Sequence, residues 1–399
     1  MLRLRSTSSA DVRRGKSLST SHEHVLIAGA GVGGLTAAVA LQRRGIPWTI
    51  IEAAPRPTAI NTSILLQHNT VRVLNELNTG RQVSDKGRRI AHTSIMSVTG
   101  RVLTEVNALD VEGTVGSPAL GIHRADLHEA LLSQLPDGCL LTGDPVIGFE
   151  TCTGGVAVYL ASGKRLQGRG LVAADGIDSL IRARLHGDRP AVHSGTNCLR
   201  GVTETSTDRP DEVREWWGYR LQFGIIPLPD GRSSWFALIP TPPRPVRDPV
   251  DRLTFYQRLY REFPTQVRDL LAATEPGNTI EVELRHRPWR GGSGAVTLLG
   301  DAAHPMLPNL GQGAGQAIED AAVLARRLDG AASVADAFRA FEQERRARVR
   351  WIQRQAVRMN QLASVPSGPL GTVRDAVLRC LPARLERTTV MRMFDGAHA

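Results

Sequence analysis

Three stretches of this 399-residue chain combine glycines and carboxylates at spacings that could bind a phosphate-bearing ligand. The first, Gly29–Gly34, fits G-x-G-x-x-G between an apolar run and a helical pattern, and the next apolar run ends on Glu52. Such glycines allow a tight turn and close approach of the backbone to a pyrophosphate, and the acid accepts hydrogen bonds from a ribose. Because an acid disfavours a ribose 2′-phosphate, the pattern predicts FAD or NAD rather than NADP. The candidate cofactor contacts in this stretch are Gly29, Gly31, Val32, Gly33 and Gly34.

The second and third stretches place an aspartate directly after an apolar run. Asp175, followed by Gly176, ends the predicted strand Gly170–Ala174. Asp301 follows the apolar run Val296–Leu299 and lies in a loop rich in glycine and proline, after which a helical pattern begins. Open α/β sheets bind ligands at the carboxyl ends of their strands, and a helix N-terminus attracts negative charge. Both aspartates are therefore candidate ligand contacts.

The rest of the pattern indicates which elements position these residues. An amphipathic helix opens at Arg124, whose side chain could simply be solvated at the helix start. Residues 190–290 concentrate tryptophan and proline, and alternating runs at 220–226 and 234–239 predict antiparallel hairpins. Such an inserted sheet could cover an apolar substrate or could be purely structural. From residue 333 to about 362 the chain is predicted to be helical and rich in arginine, and one final short helix is predicted after a stretch that contains proline and glycine.

Composition argues against several classes of function. The net charge is +10, but only three of the 49 basic residues are lysine and the arginines form no tract flanked by aromatic residues, so no nucleic-acid partner is expected. The 4 cysteines have no Cys-x-x-Cys spacing, which predicts no metal site and no disulfide framework and fits the reducing cytoplasm. No apolar run is long enough to predict a transmembrane helix. Residues 1–22 are expected to be a disordered leader, with a targeting segment as the alternative.

Together and in this order, the three motifs resemble those of the single-component FAD-dependent aromatic monooxygenases with the para-hydroxybenzoate hydroxylase fold. The loop after Asp301 is most similar to the subgroup of salicylate hydroxylase, urate hydroxylase and zeaxanthin epoxidase. The resemblance covers roughly residues 23–360 and implies an α/β fold, in which a Rossmann-like FAD-binding domain carries an inserted, mainly antiparallel β-sheet substrate domain and a helical C-terminal segment. The implied segments are 23–75, 106–189 and 286–332 for FAD binding, 76–105 and 190–285 for the substrate domain, and 333–399 for the helical region.

The resemblance also implies roles for individual residues along the cofactor. Glu52 would hold the adenosine ribose, and the backbone near Val146 would face the adenine. Arg124 would reach the ribityl–pyrophosphate region, while Asp175 would lie near the pyrophosphate and help to bind NAD(P)H. Asp301 would accept hydrogen bonds from the ribityl hydroxyls.

The glycine-rich loop and the helix after it would contact the flavin ring. Gly313 and Ala314 would direct backbone N–H groups at the N1/O2 edge of the isoalloxazine, and Gly311 belongs to the same turn. Pro308 would lie near the site of oxygen transfer. His304 could donate a proton there or could be a structural histidine paired with the backbone.

Two positions depart from the family pattern. Ala174 stands where the second motif usually has glycine, and Gly315 stands where the helix start often has asparagine. No second Rossmann unit for NAD(P)H is visible, and such monooxygenases also lack one.

The implied function is that of a monooxygenase that consumes NADH or NADPH and O2 and hydroxylates or epoxidises a small aromatic or polyene substrate, in secondary metabolism or aromatic catabolism. Oxygen transfer would proceed through a C4a-hydroperoxyflavin on non-covalently bound FAD. The protein would be a monomer or homodimer without stable membrane insertion. The alternatives are an oxidase or dehydrogenase, a catalytically silent flavin-binding partner, and a flavin-dependent halogenase. The halogenase Trp-x-Trp-x-Ile-Pro stretch is only partly matched at 235–240, where Ala237 replaces the second tryptophan.

Overall fold

The structure, a computed structural model, describes residues 23–56, 62–242, 244–366, 368–380 and 383–394. The expected leader, 1–22, lies outside the described residues. The strands are β1 (Val25–Ala28), β2 (Trp48–Glu52), β3 (Ser63–Leu66), β4 (Gly87–Ile90), β5 (His92–Ser97), β6 (Val102–Asn107), β7 (Ala119–His123), β8 (Leu140–Thr142), β9 (Val146–Cys152), β10 (Gly155–Leu160), β11 (Arg165–Gly168), β12 (Gly170–Ala173), β13 (Val192–Thr203), β14 (Glu212–Gly218), β15 (Leu221–Pro227), β16 (Ser233–Pro240), β17 (Thr279–His286) and β18 (Val296–Leu298). The helices are α1 (Val32–Gln42), α2 (His68–Glu76), α3 (Gly80–Asp85), α4 (Ala108–Val115), α5 (Arg124–Leu132), α6 (Leu180–His186), α7 (Pro249–Leu259), α8 (Thr265–Ala272), α9 (Gly313–Leu328), α10 (Val334–Ala363), α11 (Pro369–Arg379) and α12 (Ala383–Phe394).

A parallel sheet with the strand order β18-β12-β1-β2-β8 forms the first layer. Its central strands are short apolar runs that are buried on both faces, as parallel sheets require. One face packs against α1, α5 and α9, and the other packs against the antiparallel sheet β11-β10-β9. The predicted Rossmann-like unit is thereby confirmed.

The carboxyl ends of four neighbouring strands carry the predicted motifs. Gly29 follows β1 and Glu52 ends β2, while Asp175 and Asp301 follow β12 and β18. Because these strands are parallel, all four residues lie at the same edge of the sheet, where open α/β folds bind ligands.

A second layer is the sheet β17-β13-β16-β15-β14-β5-β6, which is antiparallel except for the pair β14–β5. The predicted hairpin is confirmed as β15 and β16 around the turn Pro229–Gly231. Helices α7 and α8 cover one face through a cluster of aromatic residues that includes Trp235, Tyr256 and Tyr260. Because β5 and β6 lie between β2 and β8 in the chain, and β13 to β17 lie between β12 and β18, this mainly antiparallel sheet is an insertion into the first layer. The domain boundaries themselves stay a prediction.

The C-terminal part of the chain is helical, as predicted. The long helix α10 packs against the second sheet, with Ile352 and Ala356 beside Leu238 and Leu307. The sequence predicted one final short helix, whereas α11 and α12 both follow α10. In a small antiparallel sheet, β3-β7-β4, two strands come before β5 in the chain and the central strand β7 comes after β6.

Candidate functional site

A cavity of about 690 Å³ is lined by one face of the second sheet and by the edge of the parallel sheet at which the strands carry the predicted motifs. Helix starts, loops and the last helix complete its wall. The predicted site residues that line it are Gly31, Val32, Gly33, Arg124, Asp301, Pro308, Gly311, Gly313 and Ala314. The predicted site residues that do not line it are Gly29, Gly34, Glu52, Val146, Asp175 and His304.

The N-terminus of α1 presents bare backbone N–H groups to the cavity. Gly31 is the N-cap, no side chain caps the helix, and the first turn contains no acidic residue. The first N–H groups of a helix have no intrahelical partner, and the helix dipole adds partial positive charge. A Cβ added to Gly31 would meet no heavy atom within 4 Å, so a ligand could approach this backbone closely. The helix start is therefore a ready site for a phosphate.

The other glycines of this motif are required by packing. Gly29 has a φ of +102°, and a Cβ there would collide with the carbonyl oxygen of Ala174. A Cβ on Gly34 would collide with the carbonyl oxygen of Gly29, and one on Gly33 would lie 2.7 Å from Cδ2 of Leu299. A Cβ on Gly34 would lie 3.4 Å from that of Ala174, the departure from the family pattern, which is an ordinary contact distance.

Glu52 and Val146 lie at adjoining strand ends outside the cavity. The Glu52 carboxylate accepts hydrogen bonds from the backbone N–H groups of Ala30 at 2.6 Å and Ala54 at 2.8 Å. The N–H of Asp144 donates to the Glu52 carbonyl oxygen at 3.3 Å, and Val146 begins β9 just beyond. Each carboxylate oxygen has a second acceptor site, so Glu52 can still accept hydrogen bonds from ligand hydroxyls.

Asp175 lies behind the cavity wall, beside Gly176, which lines the cavity. Its Oδ2 accepts a hydrogen bond from the N–H of Ile181 at 3.4 Å, whereas Oδ1 is buried with no partner among the described residues. Burial raises the pKa of this carboxyl, although the hydroxyl of Ser179 and nearby backbone N–H groups oppose the shift. A buried acceptor without a donor costs free energy, so a ligand that donated to Oδ1 would remove that cost.

Asp301 and two arginines set the charge at one end of the cavity. The Asp301 side chain is open to the cavity but enclosed by protein atoms, and no described residue donates a hydrogen bond to its carboxylate. This desolvation raises its pKa, against the effects of His304 and Arg124. Burial lowers the pKa of the Arg124 guanidinium, as does repulsion from Arg200, which also lines the cavity. An unpartnered carboxylate in this position is suited to accept hydrogen bonds from ligand hydroxyls.

The start of α9 is a second uncapped helix N-terminus on the same cavity. Gln312 is the N-cap without a side-chain cap, and Gly311 before it has a φ of +61°. A Cβ on Gly313 would have only Met306 Cγ within 4 Å, at 3.9 Å, so this backbone is open to a flat ligand. By contrast, a Cβ on Gly315 would collide with the Thr70 hydroxyl, which explains why no asparagine occupies that position.

His304 lies behind the wall and is paired with a carboxylate, whereas the sequence suggested a backbone partner. Its Nε2 lies 2.5 Å from Oδ2 of Asp320, and Nδ1 is buried without a partner among the described residues. Asp320 Oδ2 also accepts the N–H of Gly300 at 3.1 Å. His304 and Asp320 therefore fix the turn that contains Asp301. Pro308 does line the cavity.

The sequence interpretation missed a buried charge cluster that continues from Asp320 along α9. The Arg345 guanidinium donates to Asp320 at 2.6 Å, to Glu319 at 2.7 Å and to the Gln316 side chain at 2.7 Å. Burial alone would raise the pKa values of Glu319 and Asp320, but the cations beside them hold both at about 2. The signal in the sequence was an acidic pair inside an alanine-rich, otherwise buried helix.

The sequence interpretation also missed Glu215, which lines the cavity from the second sheet. Its Oε1 accepts a hydrogen bond from Nε1 of Trp217 at 2.5 Å. Burial raises the pKa of Glu215 to about 7, against the effect of that hydrogen bond. Alternate residues of a strand share a face, so Glu215 shares its face of β14 with Val213 and Trp217, which are both buried. A carboxylate on an otherwise apolar strand face was the signal in the sequence that could have identified Glu215.

These features fit a long ligand that carries negative charge, hydroxyl groups and a flat ring. The uncapped N-terminus of α1 suits a pyrophosphate, the orphaned Oδ1 of Asp175 and the free carboxylate of Asp301 suit donors, and the open backbone at Gly313 suits a ring. FAD has all of these parts. The fold and the site together thus define a flavin-dependent oxidoreductase class.

Comparison with known proteins agrees with this assignment to the flavin-dependent oxidoreductases. Residues 22–356 match the family described as FAD binding domain, and the chain belongs to this family. It is an FAD-dependent enzyme of the monooxygenase class.

Named relatives resemble the chain over nearly its whole length. It is 34% identical to aurachin C monooxygenase/isomerase of Stigmatella aurantiaca, over 90% of this chain and 94% of that protein. It is 32% identical to 3-amino-4-hydroxybenzoate 2-monooxygenase of Streptomyces cremeus, over 89% of this chain and 91% of the relative. The structure is similar to that of Klebsiella pneumoniae HpxO complexed with FAD and uric acid, with a TM-score of 0.86, 25% identity, and coverage of 95% and 98% of the two chains.

No helix in the described part of the chain has the length and apolar character needed to cross a membrane.

Proposed function

We propose that the chain binds FAD non-covalently along this cavity and uses NADH or NADPH and O2 to oxygenate a small aromatic or polyene molecule. One observation carries the proposal: two uncapped helix N-termini, those of α1 and α9, open onto one cavity that is also lined by tryptophans and other side chains of the second sheet. The names of the relatives support it, since one acts on an aminohydroxybenzoate and the HpxO structure contains FAD and uric acid.

The cofactor would lie across the edge of the parallel sheet. Backbone N–H groups of Gly31–Gly33 would hold its pyrophosphate, and Glu52 would hold the adenosine ribose. Asp301 would accept hydrogen bonds from the ribityl chain, and the backbone at Gly313 and Ala314 would face the ring. The roles expected of Val146, Arg124, Asp175, Gly311, Pro308 and His304 belong to the same proposal.

Bound FAD would supply the redox chemistry, and the expected route through a C4a-hydroperoxyflavin belongs to this proposal. The chain itself would orient the substrate and exclude water. The second sheet lines the cavity with Trp217, Trp235, Phe236 and Leu238, which can surround an aromatic ring and keep the reaction dry. The expected cytoplasmic location and the expected monomer or homodimer stay predictions.

The test is to purify the protein and follow its flavin and its oxygen. We expect a yellow protein that releases FAD on acid precipitation, because no covalent bond holds the cofactor. NADH or NADPH oxidation should be slow alone and should accelerate when a substrate from an aromatic panel binds. Mass spectrometry after reaction under ¹⁸O2 should find one labelled oxygen atom in the product.

Two results would contradict the proposal. A protein that binds no FAD would remove its basis. Rapid NAD(P)H consumption with equimolar peroxide, unchanged across the panel, would instead indicate an oxidase.

A further inference from the structure

Glu215 is an acid within the apolar part of the cavity. Its neighbours on the same face of β14 are Val213 and Trp217, and all three line the cavity. The same sheet lines the cavity with the apolar side chains of Ile95 and Phe236 and also with Thr93, Thr104, Arg200 and Ser234. A carboxylate in such surroundings costs free energy unless it has a function or a partner.

Within the described residues, the partner of this carboxylate is a single N–H group. Trp217 donates to Oε1, whereas Oε2 accepts no hydrogen bond, and no described basic side chain forms an ion pair with Glu215. Trp217 is itself held in place, because the Arg374 guanidinium of α11 lies 5.8 Å from its ring centroid. The hydrogen bond therefore orients the carboxylate and leaves Oε2 for a ligand.

We propose that Glu215 is a catalytic residue that accepts a hydrogen bond, and then the proton, from a ring N–H or O–H group of the substrate. This inference rests on the proposed function and narrows its substrate class. The substrate is an aromatic molecule whose N–H or O–H group is conjugated to the carbon that is oxygenated. A polyene hydrocarbon, which has no such donor, falls outside this class.

Proton transfer to Glu215 accompanies formation of the new carbon–oxygen bond. The N–H or O–H bond breaks and its proton moves to Oε2, while the released electron pair is delocalised to the reacting ring carbon. That carbon forms the new C–O bond with the distal oxygen of the oxidant made from reduced FAD and O2, and the oxygen–oxygen bond breaks. The oxygen left on the oxidant takes the proton of the ring C–H, and Glu215 returns its proton to the nitrogen or oxygen.

The pH range in which Glu215 acts follows from its burial. Its pKa of about 7 means that the acceptor form increases through neutral pH. Burial lowers the pKa of His68 and raises the pKa of Cys198. Both shifts are away from neutral pH, so neither group titrates in the range assigned to Glu215. The other titratable or charged groups that line the cavity are Arg124, Arg200 and Asp301.

The experiment compares the FAD-loaded wild type with E215Q and with the control E283Q, whose exposed carboxylate on β17 does not line the cavity. The probes are 4-quinolone and 2-naphthol, each paired with its N-methyl or O-methyl derivative. Calorimetry gives Kd between pH 6 and 8, and ¹⁸O-labelled product gives turnover. A glutamine can still accept the Trp217 hydrogen bond, so FAD content and melting temperature should remain those of the wild type.

We expect at least one parent probe to bind the wild type and E283Q alike, and to bind E215Q about ten- to a hundredfold more weakly at pH 8. The wild-type affinity for it should rise about tenfold from pH 6 to pH 8, as the competent form increases, and that of E215Q should not change. The methylated derivative should bind the wild type as weakly as it binds E215Q. Turnover of E215Q should fall by a further factor of about 100 or more.

Equal affinity and turnover in E215Q and the wild type would overturn the proposal. So would equal binding of parent and methylated probes by the wild type, which needs no variant to fold. Failure of both parent probes to bind would overturn the substrate class. Failure of the proposed function would look different, since the wild type would then lack FAD or form no labelled product from any aromatic compound.

Discussion

Asp301 illustrates what a single residue contributes when the fold leaves it without a partner. Its pKa is raised by burial, so ionising it at neutral pH costs folding free energy. That cost is absent below its ordinary value of 3.8 and is complete above its raised value in the folded state. We therefore expect flavin-free D301N to melt above the flavin-free wild type at pH 7.5, with a difference that decreases as pH falls and disappears below 3.8.

The same substitution should have the opposite effect on cofactor binding. Loss of the charged acceptor should weaken FAD binding about tenfold to a hundredfold, measured as the FAD-dependent shift in melting temperature. D269N, in an exposed position on α8, provides the matched control and should change neither quantity. An undiminished FAD-dependent shift in D301N would rule out the cofactor role.

Residues at strand ends could be predicted from the sequence, and residues on the faces of the second sheet could not. Asp175 and Asp301 were identified because an acid after an apolar strand is a local pattern. Glu215 was missed because its importance depends on what β5, β16 and α11 place around it, which no local pattern encodes. His304 has a carboxylate partner, Asp320, because the loop and α9 meet in three dimensions.

The glycines of α1 and α9 differ in whether a side chain could be added to them. Gly313 in α9 faces open space, whereas Gly34 in α1 packs against the carbonyl oxygen of Gly29. We expect the valine side chain of G313V to occupy the proposed position of the flavin ring and to raise the Kd for FAD at least about tenfold. The free energy of unfolding of the flavin-free protein should change by less than about 1 kcal/mol.

G34A is the paired variant. It should lower the free energy of unfolding by about 1–3 kcal/mol, because its methyl group overpacks the turn. Urea denaturation of both flavin-free variants checks the contrast. A G313V protein that retained stoichiometric FAD on dilution would show that the backbone of α9 does not contact the ring.

The contact between α9 and α10 depends on buried charge. Removing one partner from a buried cluster leaves an uncompensated charge, so R345A should lower the free energy of unfolding by about 3–5 kcal/mol. R339A removes an exposed ion pair with Asp336 on the same helix and should change the free energy of unfolding by less than about 1 kcal/mol. Equal effects in urea denaturation would show that the buried cluster contributes no more than the exposed pair.

The elements of the first layer were predictable for a physical reason. A buried parallel strand such as β1 or β12 must be a short apolar run, and α1 and α9 have glycines at their starts. The parallel pairing of β5 with β14 was not predictable, because it joins segments far apart in the chain. Nor did the sequence predict that α12 lines the cavity, since its apolar side chains could equally have packed elsewhere.

At the scale of the whole molecule, the cavity depends on the last described helix. Thr389, Val390, Met393 and Phe394 of α12 line it, and the Arg348 side chain donates to the carbonyl oxygen of Met393 at 2.9 Å. A chain that ends at residue 382 should therefore keep FAD but open the substrate side to water. We expect substrate to bind about tenfold more weakly and a larger share of the NAD(P)H consumed to appear as hydrogen peroxide.

The control is a chain that ends at Phe394 and retains α12. Its coupling of NAD(P)H consumption to product should equal that of the full chain. Equal coupling in the two truncated chains, measured by peroxide and product together, would show that α12 does not seal the cavity.

The two ends of the described chain meet at one cavity, since Gly31 and Phe394 both line it. A protein is synthesised from its N-terminus, and its domains begin to fold during translation. The parallel sheet, α1 and α9 can therefore assemble on the nascent chain before α12 has left the ribosome. The order of translation thus lets the elements of the proposed cofactor site fold before the helix that closes the cavity is synthesised, and oxygen chemistry that needs a dry cavity must wait until α12 has packed.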